Sequence, residues 1–123
     1  MDSDLTTTIE TLKRFLREFR DERDWTKFHD PKNLAEAITV EASELLELFL
    51  WKSAPDVKRS MKSDPEFRKA VEQELADVIC FSLSLANAAR IDVSRAVQEK
   101  IAVNKLKYPV KKAKGRATKY TLL

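Results

Sequence analysis

A chain of 123 residues, 43% of them hydrophobic, is long enough for one domain with a modest core and needs no second. No run approaches the roughly 18 apolar residues of a membrane span, the acidic, Thr-rich start Met1 to Leu12 is no signal peptide, and the lone Cys80 excludes an intrachain disulfide, so a cytoplasmic protein with no membrane partner is expected. The net charge of +3 conceals 18 acids against 13 lysines and arginines in residues 1 to 77, then 2 against 10 in residues 78 to 123; few aromatics interleave the C-terminal lysines, so no nucleic-acid surface is expected.

A single glycine and four prolines, set where helices begin or end, predict an all-α chain. Leu5, Ile9, Leu12, Leu16 and Phe19 recur at helical spacing and predict a first amphipathic helix over about 5–22. Trp25 to Pro31 follows as a loop. The second helix is expected over about 32–52, ending before Ala54-Pro55 because the residue before a proline disfavours helical backbone. Asp64 as N-cap and Pro65 in the first helical position begin a third, about 65–89, and Asp92 caps a fourth that ends near Tyr108-Pro109. Residues 1–109 thus read as a helical domain, a four-helix bundle, and residues 110–123 as a basic tail containing the only glycine, Gly115. Leu46, Phe49, Leu50 and Trp51 nearly encircle the end of the second helix, and Leu75, Ile79, Leu83 and Ala86 line the far side of the third. That is more apolar surface than one small bundle requires, which predicts a homodimer or a dimer of dimers.

Two acidic motifs interrupt these apolar runs, Glu41-Ala-Ser-Glu44 and Glu74-Leu-Ala-Asp77. Positions three apart lie roughly 60° apart around a helix, so each motif aims both carboxylates the same way, among Leu34, Ile38, Leu45 and Leu48 in one helix and Val71, Val78, Phe81 and Leu85 in the other. Four carboxylates on core-directed faces resist desolvation and repel one another, and a bound cation would remove both costs. Oxygen ligands without Cys or clustered His suit Mg2+, with Mn2+ as a substitute, and Mg2+ commonly shares its coordination with substrate phosphates. A di-iron centre would need Glu-x-x-His motifs, whereas the one histidine, His29, stands in a loop. The blander reading is that the acids are solvated or ion-paired. In the fourth helix Lys100 and Asn104 share the face of Val93 and Val97, suiting a phosphate and a sugar hydroxyl, or an ion pair between Lys100 and a core carboxylate. Trp25, Phe28, His29 and Trp51 lie just outside helix ends, as walls of a base-stacking pocket or as parts of a core or interface.

Four blocks in order carry a resemblance: Trp25-Thr-Lys-Phe28-His29-x-Pro31-x-Asn33-Leu34, Glu41-x-x-Glu44-x-x-Glu47-Leu-Phe-x-Trp51, Glu74-Leu-Ala-Asp77-Val78 and Lys100-x-x-x-Asn104-x-x-x-Tyr108-Pro109. Together with the tail Lys114-Gly115-Arg116 and Lys119-Tyr120-Thr121, the chain from about residue 10 onward resembles the all-α, MazG-like nucleoside triphosphate pyrophosphohydrolases, in their dCTP pyrophosphatase branch. The resemblance implies a four-helix subunit in a dimer or tetramer and Mg2+-dependent hydrolysis of a nucleoside triphosphate, dCTP or modified dCTP first, to the monophosphate and pyrophosphate. It implies Glu41, Glu44, Glu74 and Asp77 as metal ligands, with Glu41 or else Glu44 orienting the water. It also implies Lys100 and Asn104 at the phosphates and sugar, and Trp25, His29 and Trp51 around the base. Phe81 stands where relatives often carry a pocket tyrosine, so it keeps a stacking ring and loses a hydroxyl, and Gln73 replaces a frequent second glutamate off the acidic face. The competing substrates are dUTP or a broad dNTP range, and the competing class is a helical module that docks partners through its acidic and basic halves.

Overall fold

A computed structural model describes residues 2–123; Met1, where the expected acidic start begins, lies outside the described residues. The chain forms α1 (Ile9–Glu22), α2 (Pro31–Glu47), α3 (Ala54–Ser63), α4 (Pro65–Ala89), α5 (Val93–Lys107) and α6 (Val110–Ala113). Two 3-10 turns, Thr26–Phe28 and Tyr120–Leu122, complete it, with no strand among the described residues. The all-α expectation therefore holds. No helix among the described residues is long and apolar enough to cross a membrane. The chain divides into two units, Met1–Arg90 with α1 to α4 and Ile91–Leu123 with α5 and α6.

Capping chemistry sets the helix starts. Asp64 accepts from the backbone N–H groups of Glu66 and Phe67, Pro65 opens α4, and Asp92 accepts from Arg95 N–H at the start of α5, all as the sequence predicts. Three features differ from expectation. The first helix begins at Ile9 rather than near residue 5, because Thr8 caps it through Thr11 N–H; Leu5 falls in a separate turn closed on Ser3 and is exposed. The second ends at Glu47 rather than near residue 52. Short bonds from Phe49 to Leu46 and from Leu50 to Glu47 wind the chain out of the helix, and Trp51 turns left-handed at φ +64°. The third difference is α3, a helix unforeseen in the sequence. Pro55 there acts as a starter rather than a stop, lying in the first turn behind the N-cap Ser53, whose hydroxyl accepts from Asp56 N–H.

In the first unit α4 is the common partner on which α1, α2 and α3 all pack, α2 most extensively. Its sequence explains this: Phe67, Leu83 and Ala86 are buried, on more than one face of the helix. Leu34 of α2, 2% exposed, is the most deeply enclosed large side chain. Phe49 packs edge-on against Phe67 at 5.9 Å, which fixes the turn after α2 to the start of α4. Asn87 ties α1 down, its amide donating to Lys13 O at 2.9 Å while its oxygen accepts from Arg17 at 3.0 Å. In the second unit Tyr108 and Tyr120 meet edge-to-face at 5.9 Å, with Lys107 over the Tyr120 ring, so the tail folds back on the end of α5. Gly115 permits that reversal at φ +73°, a backbone conformation that side chains other than glycine adopt at a cost.

Because Asn87 joins two helices through a half-buried pair of bonds, Asn87→Ala should lower unfolding stability by about 1–3 kcal/mol, with the denaturant slope unchanged. Urea titration of both proteins measures this; an unaltered midpoint would show that solvent replaces these bonds without loss.

Candidate active site

Where α2 lies against α4, carboxylate oxygens of Glu41, Glu44 and Glu74 come within 4.8 Å of one another. Glu41 and Glu74 are half-buried, whereas Glu44 and Asp77 are exposed, so the expectation that all four point inward is corrected. A 60° offset suffices to carry the second acid of each motif from the packing face to its rim. Burial pushes the Glu41 carboxyl above its ordinary range, and the nearby Glu44, Asp77 and Glu74 push it further. Burial and the charges of Glu44, Asp77 and Glu47 do the same to Glu74. No lysine or arginine among the described residues pairs with these acids. Glu74 Oε2 is buried without a hydrogen-bond partner. An orphaned acceptor among mutually repelling oxygens, with no sulfur or nitrogen ligand in the cluster, is a donor set that fits a hard cation.

Beside the cluster, between α1 and α4, lies a cavity of about 340 Å³ lined by Leu16, Phe19, Trp25, His29, Asp77, Cys80, Phe81 and Ser84. Asp77 belongs to this lining and also acts electrostatically on Glu41 and Glu74, so cavity and cluster adjoin. The aromatic wall is a chain of rings: Phe19 meets Trp25 edge-on at 5.8 Å and Trp25 meets His29 at 6.3 Å. The loop carrying them is held locally. Trp25 N–H donates to Arg20 O, His29 N–H donates to Thr26 O, and Asn33 donates to both Phe28 O and the Asp30 carboxylate that caps α2. Burial, then the Arg20 charge, holds His29 below its ordinary pKa, so its imidazole is neutral at neutral pH and offers one donor and one acceptor.

The structure thus brings together Trp25, His29, Asp77 and Phe81 at the cavity, and Glu41, Glu44 and Glu74 at its edge. Trp51 is not among them. Its side chain is fully exposed on the left-handed turn after α2. Lys100 and Asn104 are exposed on α5, in the second unit. Sequence reasoning assigned no role to Leu16, Phe19, Cys80 or Ser84, which the cavity collects, nor to Glu47, whose charge reaches Glu74. Glu47 was detectable, being three residues beyond Glu44; the others carry no signal until α1 meets α4. Cys80 is half-buried and its thiol pKa is raised by burial, as expected for a packed cysteine.

The raised carboxyls set the pH dependence of stability. A group whose pKa rises on folding, here from 4.5, favours the folded state while it is protonated, and that support is lost as pH climbs through the raised value. The protein without metal should therefore lose stability as pH rises from 4.5 through the raised values. Millimolar Mg2+ should raise the melting temperature, more at neutral pH than at pH 4.5, where protons compete for the same oxygens. Glu74→Gln should raise the metal-free melting temperature and abolish the Mg2+ response. Scanning calorimetry checks both; equal responses in the two proteins would exclude Glu74 as a ligand.

Known proteins resemble this chain over most of its length. The MazG-like family model matches residues 36–123. The chain is 42% identical over 115 residues to the rat dCTP pyrophosphatase 1, covering 93% of this chain, and 40% identical over 116 residues to the human one, covering 94%. It spans about two thirds of the length of these relatives, 66% of the rat protein and 68% of the human. A crystal structure of a pyrophosphatase from Archaeoglobus fulgidus superposes with a TM-score of 0.76 at 39% identity, covering 89% of this chain and 99% of that one. With a family match over most of its length and a homologous pyrophosphatase of nearly equal extent, this chain belongs to the MazG-like family.

Proposed function

We propose that this protein is a Mg2+-dependent nucleoside triphosphate pyrophosphohydrolase that converts pyrimidine deoxynucleoside triphosphates, dCTP or base-modified dCTP first, to the monophosphate and pyrophosphate. The observation that carries the reading is the junction at Asp77, where an acidic cluster made for a cation meets an aromatic cavity suited to a base. The names of the rat and human relatives support dCTP as the first substrate. A cytoplasmic location is part of the same proposal.

Glu41, Glu44, Glu74 and Asp77 would hold Mg2+, or Mn2+ in its place. Bound there, the cation would neutralise the triphosphate and polarise its α-phosphorus. The protein's own part is to position: Glu41, with Glu44 as the second candidate, accepts the proton of a water directed in line at that phosphorus, while Trp25, Phe81 and neutral His29 enclose the base. Lys100 and Asn104 are assigned to the phosphates and the sugar on the resemblance alone. Leu46, Leu50, Trp51, Leu75 and Ile79 leave large apolar surfaces exposed, which supports a homodimer or homotetramer. Since Trp51 stands clear of the cavity of its own chain, its role as a stacking ring requires a second copy.

A panel of canonical and modified triphosphates, assayed for pyrophosphate release with Mg2+, tests the reading, and no turnover of any of them would sink it in favour of a binding module. Glu44→Gln and Asp77→Asn should each lower kcat/KM by on the order of 100-fold while the protein stays folded by circular dichroism. Phe81→Tyr should change the ratio of dCTP to dUTP turnover; an unchanged ratio would show that the missing hydroxyl is irrelevant to selectivity. Light scattering at micromolar concentration should give at least twice the chain mass of 14.2 kDa, and a monomer would refute the assembly.

A further inference from the structure

One polar group in the cavity has no place in the chemistry so far. Ser84 is only 9% exposed, lines the cavity, and its hydroxyl has no hydrogen-bond partner among the described residues. Most other helical hydroxyls here are bonded locally. Thr39, Ser43, Ser63 and Ser82, all in helices, donate to the carbonyl four residues earlier at 2.7 to 3.1 Å, which satisfies them locally. Ser82 does this two residues away on the same helix. The Ser84 oxygen is not sealed off, since Glu74 Oε2 alone is buried without a partner among the described residues; it opens on the cavity, where a ligand that displaces water can take its hydrogen bond.

Its position says which ligand atom would do so. Glu74, Asp77, Phe81 and Ser84 fall within about 80° of one another around α4, a single stripe that rises about 15 Å from first to last. The carboxylates occupy one end, where phosphates and a cation belong, Phe81 offers a ring in the middle, and Ser84 marks the far end, inside the cavity. A nucleotide laid along this stripe with its phosphates at the acidic end places its base at Ser84. Of the remaining lining there, Leu16, Phe19 and Phe81 offer apolar faces and no hydrogen bond; Trp25 carries an indole N–H and His29 one donor and one acceptor, and these two stand together in the ring chain of the opposite wall, whereas Ser84 is on α4 itself.

We propose that Ser84 is a specificity-determining residue whose hydroxyl hydrogen-bonds the polar edge of the substrate base. This rests on the nucleotide reading of the cavity given above. A serine hydroxyl both donates and accepts, so it can serve a carbonyl or an exocyclic amine of a pyrimidine, and it disfavours a ligand that offers neither, because its own bond then stays unmade.

The test is Ser84→Ala, assayed with Mg2+ on dCTP and on deoxyribose 5′-triphosphate, which lacks a base, with melting temperatures measured alongside. For dCTP, KM should rise about tenfold, with the loss falling on KM rather than kcat. The base-free triphosphate should be handled alike by both proteins. Without ligand, the melting temperature should stay level, since the hydroxyl makes no bond within the protein that the substitution could remove. Calorimetric binding of deoxycytidine without metal should weaken by the same factor, which reads the contact independently of turnover. An unchanged KM and nucleoside affinity would overturn the proposal while leaving the enzymatic reading intact, as would an equal loss on the base-free triphosphate. A fall in melting temperature with unchanged affinity would make Ser84 structural and also overturn it. Failure of the unsubstituted protein to bind deoxycytidine or turn over any triphosphate would overturn both readings together.

Discussion

The contact of α2 with α4 brings like charges together, and the rest of the molecule is arranged around that fact. Glu41 and Glu74 occupy positions that an ordinary helix pair would fill with leucine, half-buried, raised in pKa, and without a cationic neighbour. Such a pairing survives only if apolar contact elsewhere outweighs it. Leu34, Phe67, Leu83 and Ala86 supply that contact, and Phe49 against Phe67 secures the turn that lets α2 end beside α4. The orphaned Glu74 Oε2 is the local expression of the same strain. Stability given up at one helix contact is what leaves in place a set of oxygens that could hold a cation.

Helix α4 acts as a ruler for the site. Because one face repeats at intervals of three and four residues, Glu74, Asp77, Phe81 and Ser84 form a line from acidic cluster to cavity without any loop having to position them. Precision of this kind is easier to hold on a helix than on a loop. The opposite wall is different in kind: Trp25 and His29 sit on a short connection, and its backbone bonds to Arg20 and Thr26, with the Asn33 clamp on Phe28 and Asp30, give it definition.

The stretch after α2 shows how one residue type can mean opposite things. At Asp64-Pro65 and at Ser53-Ala54-Pro55 a small polar cap precedes a proline in the first turn, and both begin helices. Only the first is evident from pattern, since an apolar periodic run follows it, whereas α3 is short and polar and all but Val57, Ser60 and Met61 of it is exposed. The chain between Glu47 and Ser53 has to reverse, and it does so by placing an aromatic residue, Trp51, in left-handed backbone with its ring in solvent.

Amino-acid order alone determined the helical class, the caps at Asp64 and Asp92, the extent of α4, and the convergence of the two acidic motifs, because capping and helical periodicity are local properties carried by neighbouring residues. The order of blocks along the chain also sufficed to identify the family, since spacing between motifs survives in sequence. Tertiary structure decided the rest. Which carboxylates sit inward and which at the rim depends on the rotation of α2 against α4, and a 60° difference separates Glu41 from Glu44. The cavity exists only where α1 crosses α4, so Leu16, Phe19, Cys80 and Ser84, ordinary residues of amphipathic helices when read one at a time, become its lining. Ser84 differs from Ser82 by nothing in composition; the neighbouring helix leaves one hydroxyl facing open space while the other closes on its own backbone.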